Sequence, residues 1–547
     1  MKHRILFILS SLVSLSVTAQ DQPKLVVGIV VDQMRQEYLY RFEKKFGPGG
    51  FKRLVNDGFM LKNAHYNYVP TYTGPGHATI YTGTTPAIHG IIGNDWYDKD
   101  AQVMVNCVGD PRQKAVGIEP TPGRGTVSPW RMLSTTITDE LKLATQRRAK
   151  VIGLSMKDRG AVLPAGHMPD GAYWFDSPSG KFISSTFYKP GLPSWLDKFN
   201  ELNLPEQYIS REWKPLLPIE QYEESGPDDA PFEGRMKGKD QKPTFPYKLK
   251  EIRGQNPGYE LLVATPFGCD LLTDLTKAAI DGEELGQDLI TDFLSVSFSS
   301  PDYVGHSMGP NSVEIEDTYI RMDKNLEDLL NTLDRKVGAG NYVVFLTSDH
   351  GISDIPSQLV INKIPAGMIS TTKVVAGLNE FLKPYFGDRK IVERLSNAQV
   401  FLNHEAFTGD LKTAGIDLLV ATELISQYLM GLDGIADVYT AANIRAADFG
   451  EKGVKGTMVR GFNHKRSGDI LIVAEPNWME YMETGTTHGS PYSYDTHVPL
   501  IFYGWGIAKG SSVEFQTVSD IAPTLSILLK IKFPSGCTGQ PIGKVLK

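Results

Sequence analysis

Residues 24–32 read Lys24-Leu25-Val26-Val27-Gly28-Ile29-Val30-Val31-Asp32, an unbroken apolar run that stops at an acid. Such a run has no polar face to turn toward water, so it predicts a strand covered on both sides. The same form recurs along the chain. Lys150–Leu154 runs into Ser155-Met156-Lys157-Asp158-Arg159, and Asp292–Phe298 runs into Ser299-Ser300-Pro301-Asp302-Tyr303-Val304-Gly305-His306. Tyr342–Leu346 runs into Thr347-Ser348-Asp349-His350-Gly351, and Val498–Tyr503 is a last apolar run. Helical spacing separates these runs at Leu133–Thr145 and Asp270–Ile280, and Ile315, Tyr319, Met322, Leu326, Leu330 and Leu333 fall on one face of a longer helix. Strands that alternate with helices predict an α/β fold, a doubly wound and mostly parallel central sheet. In that fold the residues just after each strand collect at one edge of the sheet.

Outside this frame the composition shifts twice. Residues of about 160–257 are crowded with proline, glycine and aromatics, including Trp174, Trp195 and Trp213, and predict an inserted cap. A second insertion is expected at about 361–462, holding a strand at Gln399–Leu402, a helix at Ile416–Met430 and a strand at Ala436–Thr440. Lys2 and Arg4 precede an apolar stretch, Ile5–Leu15, and Val17-Thr18-Ala19 supplies small residues for cleavage. Residues 1–19 thus read as a secretory signal peptide, residues 20–547 as the catalytic domain, and the protein as exported, periplasmic or secreted. No later run suits a membrane span, and no cysteine follows the cleavage point to carry a lipid. The net charge of −7 argues against nucleic acid as a specific partner. Three cysteines, Cys107, Cys269 and Cys537, allow one disulfide at most, and burial is the expectation for each. A monomer is expected.

The chemistry centres on Tyr68–Asp98. There Thr73 stands before Gly74-Pro75-Gly76-His77, and Pro75 suits the first turn of a helix. A hydroxyl just before a helix N-terminus lies beside free N–H groups that can hold an anion. A threonine hydroxyl needs a base or a metal to become a nucleophile. The runs supply candidates: Asp32, Asp302 with His306, Asp349 with His350, and His488 in a Thr-His-Gly loop. Each alone reads as a cap or a surface residue. Together they are three carboxylates and three imidazoles gathered at one sheet edge, a mixed oxygen and nitrogen set suited to two zinc ions. Two metals can stabilise the attacking and leaving oxygens of an in-line displacement at phosphorus.

Thr73-Gly74-Pro75-Gly76-His77 with Asn94-Asp95-Trp96, Lys157-Asp158-Arg159, the Asp302–His306 motif, Ser348-Asp349-His350-Gly351, Thr487-His488-Gly489 and Asp520-Ile521-Ala522-Pro523-Thr524 occur in the order found in the alkaline phosphatase superfamily. The chain most resembles the exported bacterial alkaline phosphatases of the PafA type, with a threonine nucleophile and two zinc ions per chain. The resemblance implies Asp32, Asp349 and His350 for the zinc that also binds Thr73, and Asp302, His306 and His488 for the other. It implies Asn94, Lys157 and Arg159 as contacts to phosphoryl oxygens, and phosphate monoesters as substrates hydrolysed through a phosphothreonine. His497 in Asp495-Thr496-His497-Val498 is the rival for the last ligand place, and the Thr-His-Gly setting favours His488.

Three other readings compete. A sulfatase would take its nucleophile from a Cys/Ser-x-Pro-x-Arg context, absent at Thr73. A nucleotide pyrophosphatase/phosphodiesterase shares the threonine and the ligand types. Two divalent cations, Lys157 and Arg159 against three carboxylates leave a net positive site, which favours a monoester dianion over a diester monoanion. In an extended segment the Lys157/Arg159 spacing puts both side chains on one face. An exported metal-binding protein without turnover would have no use for nucleophile, ligands and oxygen contacts together.

Overall fold

The computed structural model describes residues 22–238, 242–407, 417–480 and 483–547, so the expected signal peptide lies outside the described residues. Among them is an eleven-stranded sheet. Its strands are β1 (Leu25–Val31), β2 (Phe59–His65), β3 (Ala115–Val116), β4 (Val151–Ser155), β5 (Gly171–Asp176), β6 (Lys181–Ser185), β7 (Asp292–Phe298), β8 (Tyr342–Thr347), β9 (His497–Gly504), β10 (Gly510–Ser512) and β11 (Gln516–Thr517). The spatial order is β10-β2-β9-β8-β1-β7-β4-β5-β6-β3, with β11 also on β2. Strands β8, β1, β7, β4 and β5 run parallel, whereas β9 and β6 pair antiparallel on either side of them.

Strand alternation divides β1 between two cores. Leu25, Val27, Ile29 and Val31 face a cluster with Tyr319, Leu326 and Leu330, while Val26 and Val30 face Ile80, Tyr81 and Leu525. The first cluster is supplied by the helix Val313–Leu333. The second is supplied by the helix Thr73–Thr82, which carries the candidate nucleophile, and by the C-terminal helix Ile521–Leu528. Because both faces are covered, all of β1 is buried, as its unbroken apolar run requires.

The first expected insertion is corrected by the structure. Gly171–Asp176 is entirely buried and pairs with β4 inside the central sheet, and Lys181–Ser185 pairs with it in turn. Two of the three tryptophans that suggested a cap are interior residues: Trp174 lies in the buried strand Gly171–Asp176, and Trp213 joins the core cluster of β1, its Nε1 donating to Asp317 at 2.7 Å. Trp195 is half-buried against that cluster. Much of this segment therefore covers a face of the sheet. The second region builds its own four-stranded sheet, in the order Val392–Ser396, Gln399–Leu402, Ile470–Ala474, Ile435–Thr440. It has its own core with the helices Thr371–Phe386 and Leu418–Met430. Ile470–Ala474 belongs to this sheet, so the unit reaches beyond residue 462. All three cysteines are free.

Candidate active site

Four adjacent parallel strands deliver the charged side chains to one edge. Asp349 and His350 follow β8, Asp32 follows β1, Asp302 and His306 follow β7, and Lys157 follows β4. Asp302 and His306 lie on the helix Ser300–Met308, where a spacing of four residues puts them on one face. His306 Nε2 stands 3.2 Å from Asp302 Oδ1. His488 arrives from the loop before β9. That loop is pinned by Asp495, whose Oδ2 accepts the backbone N–H of Gly489 at 3.0 Å and of Ser490 at 2.7 Å.

The six candidate ligands form two triads, Asp32/Asp349/His350 and Asp302/His306/His488, with ligand atoms within 4.8 Å of one another in each. All three imidazoles are turned the same way. Nδ1 of His350 lies 2.9 Å from the Gly351 carbonyl, Nδ1 of His306 is 2.8 Å from that of Thr486, and Nδ1 of His488 is 2.7 Å from that of Thr71. A carbonyl only accepts, so Nδ1 carries the proton in each ring and Nε2 offers a lone pair. Burial, with His350 and His306 nearby, holds His488 well below its ordinary value, which keeps it neutral. Burial also lowers His350, against the pull of Asp349.

The carboxylates complete the pattern. Asp32 Oδ1 and Asp349 Oδ2 are buried without a hydrogen-bond partner. Burial and the negative charges of Asp302 and Asp349 push Asp32 well above the usual carboxylate range. For Asp302, burial is outweighed by Lys157 and His306, which hold it well below that range. Crowded buried carboxylates with orphan oxygens, facing imidazole lone pairs, are a donor set that fits divalent cations.

Thr73 is the first residue of its helix, with extended Tyr72 as N-cap, and is buried. Its Oγ1 lies 3.5 Å from His350 Nε2, which places it on the Asp32/Asp349/His350 side. Asn94 Oδ1 accepts the Gly74 N–H at 2.7 Å, so that carboxamide sits at the same helix start. Lys157 and Arg159 are not in an extended segment. Lys157 is the extended N-cap of the helix Asp158–Ala165, and Arg159 is already in its first turn. Lys157 Nζ reaches Asp32 Oδ2 at 2.8 Å and Asp302 Oδ2 at 2.6 Å, tying the two triads together. Arg159 Nε is buried without a partner. His497 lies outside the site. Its Nε2 meets the Lys62 carbonyl at 3.0 Å, and its ring stacks on His65 at 4.4 Å.

Gln33 escaped the sequence reading. Its backbone N–H donates to Asp349 Oδ1 at 3.2 Å, and its Nε2 donates to Asp302 Oδ1 at 2.7 Å, so one residue touches a carboxylate of each triad. It does so from a left-handed backbone, φ 65°. An amide after a strand carries no signal by itself. A non-glycine residue in that conformation shows only in the fold.

This fold and this pair of triads define a hydrolase of the alkaline phosphatase superfamily. Within it, the model of the type I phosphodiesterase / nucleotide pyrophosphatase family matches residues 26–497, and the chain belongs to that family. Alkaline phosphatase PafA of Elizabethkingia meningoseptica is 45% identical over 532 residues, covering 96% of this chain and 95% of its own length. Alkaline phosphatase PhoV of Synechococcus elongatus is 44% identical over 526 residues, covering 96% and 93%. The crystal structure of wild-type PafA matches with a TM-score of 0.91 at 44% identity, over 96% of this chain and 99% of that one. Relatives of this likeness over nearly the whole length identify the chain as an enzyme of phosphatase type.

Proposed function

We propose that the protein is an exported, zinc-dependent phosphate-monoester hydrolase that acts through a phosphothreonine on Thr73. The observation that supports this most directly is the buried Thr73 hydroxyl at a helix start beside His350, at the sheet edge where Lys157 also follows its strand. Asp32, Asp349 and His350 would hold one zinc, and Asp302, His306 and His488 the other. Bound there, the two ions would make the hydroxyl acidic and neutralise charge on the ester oxygens.

The chain's own groups do the rest. Thr73 Oγ loses its proton to solvent as it attacks phosphorus, and an Oγ–P bond forms. The P–O bond to the leaving oxygen breaks in line and that oxygen takes up a proton from solvent, so the alcohol departs on the side of Asp302, His306 and His488. Water then attacks the phosphothreonine, releasing inorganic phosphate and returning the hydroxyl. Lys157 has three donors, of which two point at carboxylates, leaving one for the substrate. Arg159 brings an unpartnered Nε and the fork geometry that grips two phosphoryl oxygens. Asn94, whose Oδ1 takes the Gly74 N–H, leaves its Nδ2 donors for a phosphoryl oxygen at the helix start. Residues 1–19 would direct export. Among the described residues no helix is long and apolar enough to cross a membrane.

Purified protein should carry about two zinc ions per chain, lose aryl monoester hydrolysis on chelation and regain it with Zn²⁺. After a low-pH quench, phosphate should be found on Thr73, and Thr73→Ala should lose several orders of magnitude in kcat. Full activity in a metal-free sample, or label on another residue, would overturn the reading.

A further inference from the structure

A cavity of about 190 Å³ lies beside the His488 loop, between Tyr72, Thr487 and Gly489 of the central unit and the second, four-stranded sheet. Its far wall is mostly apolar, with Ile369, Met458, Ile472 and Trp478, of which Met458 and Ile472 are buried, and it also carries the uncharged polar residues Thr371, Asn397 and Gln399. None of these residues belongs to either triad. The cavity shares His488 with the site, on the side where the leaving alcohol departs in the proposed reaction.

We infer that this cavity receives the organic part of the alcohol, and that the enzyme favours monoesters of small uncharged apolar alcohols of about one ring. The inference rests on the monoesterase reading above. Volume sets the size: an apolar cavity of roughly 150 Å³ takes a benzene ring, and far larger pockets are needed for drug-sized ligands. Chemistry sets the class. Ile369, Met458, Ile472 and Trp478 offer a ring dispersion contacts, while Thr371, Asn397 and Gln399 on the same wall add neutral hydrogen-bonding groups and no cation. Exposed Glu480 also borders the cavity, where it repels an anionic alcohol.

The two-unit wall means that the second sheet supplies specificity while the central sheet supplies chemistry. Ile472 sits on the strand Ile470–Ala474, and Thr371 opens the helix Thr371–Phe386 at the cavity edge. Ile472→Phe fills the cavity from its interior, and Thr371→Trp fills it from a partly exposed helix start that tolerates a large residue.

The experiment compares phenyl phosphate with methyl phosphate on the zinc-loaded full chain and both variants, with phenol binding followed by ligand-observed NMR. Filling the cavity should raise KM for phenyl phosphate about tenfold or more while leaving methyl phosphate kcat/KM within about twofold, on the scale of lost apolar pocket contacts. Phenol should bind the parent and not Ile472→Phe. Equal losses on both esters, or folded variants that leave phenyl phosphate unchanged, would overturn the inference. Phenol binding needs no turnover, so a parent that binds phenol in the cavity but hydrolyses neither ester would refute the phosphatase reading. A parent that hydrolyses both esters alike and ignores phenol would refute the cavity assignment alone.

Discussion

Two small side-chain facts decide how the site is held. Gln33 links a carboxylate of each triad, and Gly305 makes room for it: a Cβ at Gly305 would stand 1.9 Å from Gln33 Oε1. The glycine in the Asp302–His306 motif thus serves the carboxamide across from it. Gln33→Leu and Gly305→Ala should each weaken zinc binding at the Asp302 triad by about 10–100-fold, the range for losing a hydrogen bond behind a ligand. The double variant should lose little more than either alone, because both remove one contact. Chelator competition on the three proteins measures this, and fully additive losses would separate the two residues. Lys157 and Arg159 carry the second prediction at this scale. A monoester presents one more free oxygen and one more charge than a diester, so Lys157→Ala/Arg159→Ala should lower monoester kcat/KM by roughly 10²–10⁴ and diester kcat/KM far less. Equal losses would assign the pair to the triads, which Lys157 bridges.

At the scale of elements, the helix Thr73–Thr82 must sit tightly on the end of β8 for its first residue to meet His350. Gly76 permits this. A Cβ there would come 2.4 Å from the Asp349 carbonyl and 2.7 Å from Asp349 Cβ, neither of which can swing aside. Gly76→Ala should push the helix start outward, lowering kcat by about 10²-fold for a displacement near 1 Å, with a stability loss of about 1–3 kcal/mol. Saturation kinetics beside urea unfolding separates the two effects. A kcat within about threefold of the parent would mean the helix relaxes without moving Thr73.

For the whole molecule, acid sensitivity arises from buried neutral histidine. His89 is fully buried, its Nε2 lies 3.1 Å from Thr79 Oγ1, and its Nδ1 accepts the Ile91 N–H at 3.1 Å. Burial, helped by Arg466, lowers it from 6.5 to about 3. Between those values the unfolded chain binds a proton that the folded chain refuses. Its contribution is therefore intact above pH 6.5 and is lost progressively as pH falls toward 3. The slope approaches about 1.4 kcal/mol per pH unit. Urea unfolding of the chelated protein and of His89→Gln across this range should show the parent losing more stability on acidification. Parallel curves would mean that the ring takes up its proton without unfolding.

Much of this protein is legible along the chain because its strands are covered on both faces. Burial of that kind demands unbroken apolar runs, and parallel winding then brings the residues after each run to one edge. Asp32, Asp302, Asp349 and His350 are therefore found just past Lys24–Val31, Asp292–Phe298 and Tyr342–Leu346. The aromatic segment at Gly171–Asp176 misleads because a buried interior strand rich in aromatics and a cap have the same composition, and only the ladders to β4 and β6 distinguish them. The spacing of Lys157 and Arg159 suggests an extended segment with one shared face, whereas a helix begins between them. The grouping of the ligands into two triads follows the family resemblance. The shared orientation of the three imidazoles, the reach of Gln33 across both triads and the cavity beside His488 were instead decided by tertiary structure. Each depends on distances between residues far apart in the chain, and pattern or spacing along a single strand of sequence does not encode those.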